Sequence, residues 1–271
     1  QPHEDDAAVA TAAEAPRRPR EDLVQTNKEY GDKLAADGSS RGDLKVISRT
    51  IRELRYAFKV FAPFRKKRKV TVFGSARTPK EDPGYQEAVH LGRAFAEAGW
   101  LVVTGAAHGI MEAGHVGAGR EASMGLNIIL PFEQSANPII SGDPKLVHMK
   151  YFFTRKLMFV KECDAVVCLA GGFGTLDEAM EVITLLQTAK RDMVPVVLLD
   201  PPGGSYWPAL FEFIKSHMLA TRMISPEDLH LFKLCTSHQE AVAEVLQFFR
   251  VYHSMRYVKN QLVLRLNGVI P

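Results

Sequence analysis

From Val70 onward, short unbroken apolar runs alternate with stretches in which apolar residues recur every three or four positions. The runs read as strands and the stretches as amphipathic helices. Val70–Phe73 predicts a first strand, and Tyr85–Ala98 a helix stopped by Gly99. Trp100–Thr104 is the second strand, followed by a helix over Ile110–Ala122. Leu126–Leu130 is the third strand, and Tyr151–Lys161 the next helix. Ala165–Leu169 is a further strand, and its helix is marked by Leu176, Met180, Ile183 and Leu186. Val194–Leu199, a helix around Trp207–Leu219, a strand at Leu231–Cys235 and a helix over Gln239–Tyr252 complete the pattern. Strands without polar alternation are buried on both faces, so the order predicts an α/β fold. The expected architecture is a doubly wound parallel sheet with helices on both faces, formed as a single domain over residues 41–271.

The chain upstream is different. Residues 1–40 are rich in Ala, Pro, Glu, Asp and Arg with few large apolar residues, the composition of a disordered extension. Leu44, Ile47, Ile51, Leu54, Phe58 and Phe61 then mark an added amphipathic helix packed on the domain. The basic run Arg65–Lys69 lacks interleaved aromatics and directly precedes a strand, so it reads as a solvated approach to the sheet.

Composition narrows the function classes. The 271 residues carry 34 basic and 31 acidic side chains, a net charge of +3, too mild to imply nucleic acid. Apolar content of 46% supports a sizeable core, and no apolar run reaches the length of a membrane span. Cys163, Cys168 and Cys235 have no metal-ligand spacing and an odd count, which points to a reducing cytoplasm. No metal or cofactor is expected.

Three strands end in glycine-containing loops: Gly74–Arg77, Gly105–Gly109 and Gly171–Gly174. In open parallel sheets, ligands bind at the carboxyl ends of the strands, where strand order reverses. The last loop, Ala170-Gly-Gly-Phe-Gly-Thr-Leu-Asp-Glu178, joins a strand to a helix. Backbone N–H groups and the positive helix end there make a cradle for an anion such as a phosphate. Thr175 and Glu178 also fit a capping box, in which Thr caps the helix and Glu reaches back to it. Capping alone does not call for three glycines before the cap; close approach of a ligand does. None of the loops is a P-loop or a G-x-G-x-x-G fingerprint, which weighs against ATPase and dehydrogenase chemistry. Arg155 and Lys156 lie in an aromatic-rich helix, where the plain alternative is snorkelling over the core. Arg77 is a loop cation with the same two readings. Glu181 shares a helix face with Glu178. His115, His148, His217, His230, His238 and His253 show no ligand spacing.

Together these motifs resemble the LONELY GUY family of cytokinin riboside 5′-monophosphate phosphoribohydrolases and related nucleoside-monophosphate hydrolases. The resemblance rests on Val72-Phe-Gly-Ser-Ala-Arg77, Gly109-Ile-Met-Glu-Ala113, Gly125-Leu-Asn-Ile with Leu130-Pro-Phe-Glu-Gln134, Tyr151-Phe-Phe-Thr-Arg-Lys156, Gly171–Glu178 and Thr184–Thr188, across about 69–250. It implies a Rossmann-like homodimer or higher oligomer that splits AMP or an N6-modified relative into free base and ribose 5-phosphate. By motif, Gly171, Gly172, Gly174 and Thr175 would hold the phosphate. Arg155 and Glu178 would be the catalytic pair, with Lys156 beside them. Ser75, Arg77, Gly105, Gly109 and Met111 would complete the substrate site. A nucleotide carrier of the same fold without turnover is the alternative. The chain departs from the family at Gly105-Ala-Ala-His-Gly109, where a glycine-rich loop is usual, and at Ala170, where Pro is usual. If that loop faces the nucleotide, Ala106 and Ala107 narrow the approach and His108 adds a titratable group; otherwise His108 points to solvent.

Overall fold

A computed structural model describes residues 20–130, 136–259 and 261–268. It divides into two compact units, 1–49 and 50–271. In the first, the expected disorder does not extend to Arg20–Ala36, which forms helix α1 with no buried residue. Acids in its first turn, Lys33 in its last and a Gln25–Glu29 contact one turn apart favour a helix without a core. Residues 1–19 lie outside the described residues. Helix α2 (Arg41–Phe61) spans the boundary, and from Thr50 onward it buries Glu53, Ala57 and Phe61.

In the second unit a seven-stranded, all-parallel sheet is built from β1 (Lys69–Phe73), β2 (Leu101–Thr104), β3 (Ser123–Ile128), β4 (Leu146–Met149), β5 (Ala165–Cys168), β6 (Val196–Leu199) and β7 (Lys233–Cys235). Strand order is β4-β3-β2-β1-β5-β6-β7. The chain winds from β1 outward to β4, then returns to the other side of β1 with β5. Order therefore reverses between β1 and β5, and the crevice there opens beyond Phe73 and Cys168, paired at the carboxyl ends of those strands.

Helices α3 (Pro83–Glu97), α4 (Ile110–Ala122), α5 (Phe152–Glu162), α6 (Phe173–Gln187), α7 (Tyr206–Phe213) and α8 (His238–Val251) cover the sheet. One face packs Phe73, Met124, Leu126, Met149 and Val166 against Met158, Phe159, Val182 and Trp207 of α5, α6 and α7. The other packs Val70, Val72, Val102 and Val167 against Leu91, Phe95, Ile110 and Val245 of α3, α4 and α8. The expected doubly wound α/β fold is the one observed.

Several boundaries differ from expectation. β3 begins at Ser123 and ends at Ile128, so Ile129 and Leu130 lie beyond it. β4 was not expected, because a four-residue edge strand with exposed His148 has too little apolar periodicity to be read. The helix around Trp207 becomes a π-helical turn over Ile214–Leu219. An antiparallel hairpin, β8 (Tyr252–Val258) with β9 (Gln261–Leu266), follows α8 and is mostly exposed. The basic run is only partly solvated. Lys69 is 3% exposed, and Arg68 packs over the Phe249 ring at 3.7 Å while pairing with Asp164. The Arg68 guanidinium also lies 5.8 Å from the Trp100 ring, a cation held against aromatic faces.

Candidate active site

The three glycine loops are tied to one another through the backbone. The Ser75 N–H donates to the Ala170 carbonyl at 3.1 Å, and the Ile110 N–H to the Ser75 carbonyl at 2.9 Å. This lock demands glycine at two positions. A Cβ on Gly171 would lie 2.1 Å from the Thr175 Oγ1, and one on Gly109 would lie 2.2 Å from the Ser75 carbonyl oxygen. Gly109 also has φ of +60°, as the residue that starts α4. The Tyr206 hydroxyl donates to the Gly171 carbonyl at 2.6 Å and pins the last loop from α7.

Helix α6 begins at Phe173 with Gly172 as its cap residue and no side-chain cap. Thr175 is thus the third residue of the helix rather than its cap, and the capping-box reading of Thr175 and Glu178 is not realised. The first N–H groups of a helix have no partner within it. In α6 the Thr175 N–H turns back to the Gly172 carbonyl at 3.0 Å, so the start is left to the Phe173 and Gly174 N–H groups, on backbone with open space where Gly172 and Gly174 would carry a Cβ.

Above them lies a cavity of about 660 Å³ at the strand-order reversal. Ser75, Arg77, Gly105, Met111, Arg155, Gly172, Gly174, Thr175 and Glu178 line it together. Gly171, Gly109 and Lys156 are not among its lining residues. The two glycines act from behind the wall, holding the loops. Lys156 projects elsewhere, to Asp177 at 2.7 Å and Glu181 at 2.9 Å, and so clamps α5 to α6. Glu181 is engaged by that clamp.

Glu178 is 4% exposed, and its Oε1 lies 3.9 Å from the Arg155 guanidinium. Burial pushes its carboxyl up to about 7, against the opposing charges of Arg155 and Lys156. Arg155 is braced by the Phe152 and Phe159 rings, 5.0 and 5.6 Å from its central carbon. The pair thus has one deeply buried acid titrating near neutrality and one fixed cation, set beside a helix start suited to phosphate.

Sequence reasoning missed the supports and the apolar lining. Asn127, Ile128, Leu130, Phe152, Phe159 and Phe173 also face the cavity, and Phe173 is 93% exposed. His115 is fully buried, within 3.0 Å of the Met124 carbonyl and 3.2 Å of the Asn137 amide. Asn137 in turn donates to the Ala107 carbonyl from its side chain, and to the Ala106 carbonyl from its backbone N–H. This network holds the departing loop, where Ala106 adopts φ of +59°. Nothing in the spacing of His115 and Asn137 signals it, because they meet only through the fold. Ala107 lines the cavity, but His108 does not; it pairs with Glu112 at 3.0 Å. Cys163, Cys168 and Cys235 are buried and free, and burial pushes the Cys168 thiol up. Among the described residues no cluster of His, Cys, Asp or Glu could hold a metal ion, and no helix is long and apolar enough to cross a membrane.

A family model described as possible lysine decarboxylase matches residues 104–245, from the end of β2 to α8. The chain belongs to that family. A protein of Oryza sativa subsp. japonica named as a probable cytokinin riboside 5′-monophosphate phosphoribohydrolase is 35% identical over 153 residues. That match covers 54% of this chain and 59% of the rice protein. An Arabidopsis thaliana cytokinin riboside 5′-monophosphate phosphoribohydrolase is 33% identical over 153 residues, 54% of this chain and 67% of its own. A solved molybdenum cofactor binding protein from Rippkaea orientalis matches at 19% identity and a TM-score of 0.48, over 67% of this chain and 97% of that one. The chemistry in that family description does not suit this cavity. Amino-acid decarboxylation on pyridoxal phosphate needs a lysine to hold the cofactor as a Schiff base, and no lysine is among the described lining residues.

Proposed function

We propose that the chain hydrolyses the N-glycosidic bond of a nucleoside 5′-monophosphate, releasing free base and ribose 5-phosphate. The observation that carries this reading is Glu178: a buried carboxyl near pKa 7, 3.9 Å from Arg155, one turn into the helix whose start faces the cavity. Cleavage passes through an oxocarbenium-like state, as in glycoside hydrolysis. An ionised Glu178 stabilises that positive charge or orients the attacking water. Arg155 positions the substrate or the leaving base. The start of α6, with Gly172, Gly174 and Thr175, holds the phosphate and fixes the sugar against the acid. The names of the rice and Arabidopsis relatives support the same chemistry, with AMP or an N6-modified AMP as the first substrate to test.

The deciding experiment incubates the protein with a panel of purine and pyrimidine nucleoside monophosphates and measures free base. Release from at least one, with none from the matching nucleosides, is expected. Binding of a nucleotide without any release across the panel would make the chain a carrier and sink the hydrolase reading.

The same reading includes a homodimer or higher oligomer in a cytoplasmic setting. Phe152, Phe153 and Leu157, each about half exposed, form an apolar patch on α5 beside the cavity. Light scattering at micromolar protein tests it, and a monomeric mass is the contrary result.

A further inference from the structure

Helix α5 carries Arg155 in its first turn, yet its cap residue Tyr151 supplies no side-chain cap. The missing acceptor comes from outside the region matched by the family model. Glu53 of α2 is 4% exposed and takes the Lys150 N–H at 2.9 Å on Oε1. Its Oε2 faces the Tyr151 N–H at 3.5 Å and the Thr154 hydroxyl at 2.8 Å. A carboxylate at a helix start satisfies its free N–H groups and complements its dipole. Charge-assisted hydrogen bonds of this kind also fix geometry more tightly than neutral ones. Thr154 is the residue immediately before Arg155, and the Arg155 N–H closes the first turn on the Tyr151 carbonyl at 3.3 Å.

We infer that Glu53 is a positioning residue for the reaction, which caps α5 across about a hundred residues of chain and so sets where Arg155 meets Glu178. The inference rests on the hydrolase reading above. It makes the helix that precedes the sheet part of the catalytic apparatus, although it contributes no atom to the cavity lining. Arg155 is the first of the charges that pull the Glu178 carboxyl down, so a displaced Arg155 also alters when Glu178 ionises. The groups facing Glu178 are Arg155 and Lys156 from α5, Asp177 and Glu181 on its own helix, and the Cys168 thiol on β5. Of these, Arg155 and Lys156 stand on α5, the helix whose start Glu53 holds through Lys150, Tyr151 and Thr154.

The test compares wild type, Glu53→Gln and Thr154→Val in base release from whichever monophosphate wild type cleaves. Gln keeps the volume of Glu53 but turns an NH₂ group toward a donor at the start of α5. A small misplacement of a reacting group costs on the order of ten- to a hundredfold in rate. In Glu53→Gln, kcat is expected to fall at least about tenfold on that scale, with KM changed less than about threefold because the phosphate cradle belongs to α6. The pH limb of kcat/KM is expected to move upward, and amide hydrogen exchange to rise over 150–155 but not over 173–178. Thr154→Val leaves Glu53 itself and the Lys150 and Tyr151 N–H groups in place, and a smaller effect in the same direction is expected. Either variant with a lower melting temperature but wild-type kcat per folded molecule and an unmoved pH limb assigns Glu53 to stability alone and overturns the inference. Should Glu53→Gln fail to fold, Thr154→Val decides the question by the same readouts. Wild-type protein without turnover sinks the hydrolase reading itself, a result distinct from active wild type with unaffected variants.

Discussion

At the residue scale the proposed chemistry turns on one proton. Glu178 titrates near 7 in the folded chain instead of at its ordinary 4.5. If its ionised form does the work, kcat/KM rises with pH through a limb near 7. Arg155→Ala removes the leading charge that favours ionisation. The limb is then expected to move higher while kcat falls and KM rises, and pH–rate profiles of the two proteins check this. Glu178→Gln should leave nucleotide binding in place and lower turnover at least about a hundredfold, the scale of losing a charged transition-state partner. Turnover within a few-fold of wild type would remove Glu178 from the reaction.

At the element scale, the loop between β5 and α6 separates two kinds of glycine. Gly171 is wedged between Thr175 and the Ser75 N–H, 2.1 and 2.9 Å from where its Cβ would be. Gly172 and Gly174 face open space. Gly171→Ala should therefore cost folding stability, on the order of 1–3 kcal/mol for overpacking a tight site. Gly172→Ala should melt close to wild type but raise KM for the monophosphate, since its methyl group enters the ligand's side. Thermal unfolding paired with kinetics distinguishes them. Equal melting of the two variants would contradict the wedge. The glycine pattern was legible in the sequence as a candidate ligand cradle; which glycine is wedged into the fold and which faces open space was not. That division depends on Ser75 and Tyr206, which approach from other strands and helices.

Over the whole molecule, two buried groups make opposite demands as pH changes. The folded pKa of Glu178 is raised, so its contribution is fully favourable below 4.5 and is lost as pH rises through about 7. His115 is the reverse: burial lowers it from 6.5 to about 4, and its contribution is full above 6.5 and lost as pH falls toward 4. Each displacement is worth roughly 3 kcal/mol, at about 1.36 kcal/mol for every pH unit, so the two largely offset each other between pH 4.5 and 6.5. Glu178→Gln removes one side of that balance. The variant is expected to match wild type in denaturant unfolding at about pH 4 and to exceed it by roughly 3 kcal/mol at about pH 8. A stability difference that does not grow with pH would show that Glu178 is not held near 7.

The sequence by itself determined the alternation of strand and helix, the parallel sheet and the glycine loops that line the candidate site. Those signals are local, written in periodicity and in glycines at strand ends. It also marked Arg155 and Glu178, though only the fold brought a residue of α5 within 3.9 Å of one on α6. The short edge strand β4 and the exposed hairpin β8–β9 have too weak a local pattern to read without their partners. Lys156 and Gly171 were legible as site residues by their neighbours in the chain, but packing turns one toward Asp177 and Glu181 and places the other behind the cavity wall. The burial that raises Glu178, the pairing of His108 with Glu112 and the capping of α5 by Glu53 were decided by tertiary structure alone. Each depends on which groups are brought together and which are taken out of water.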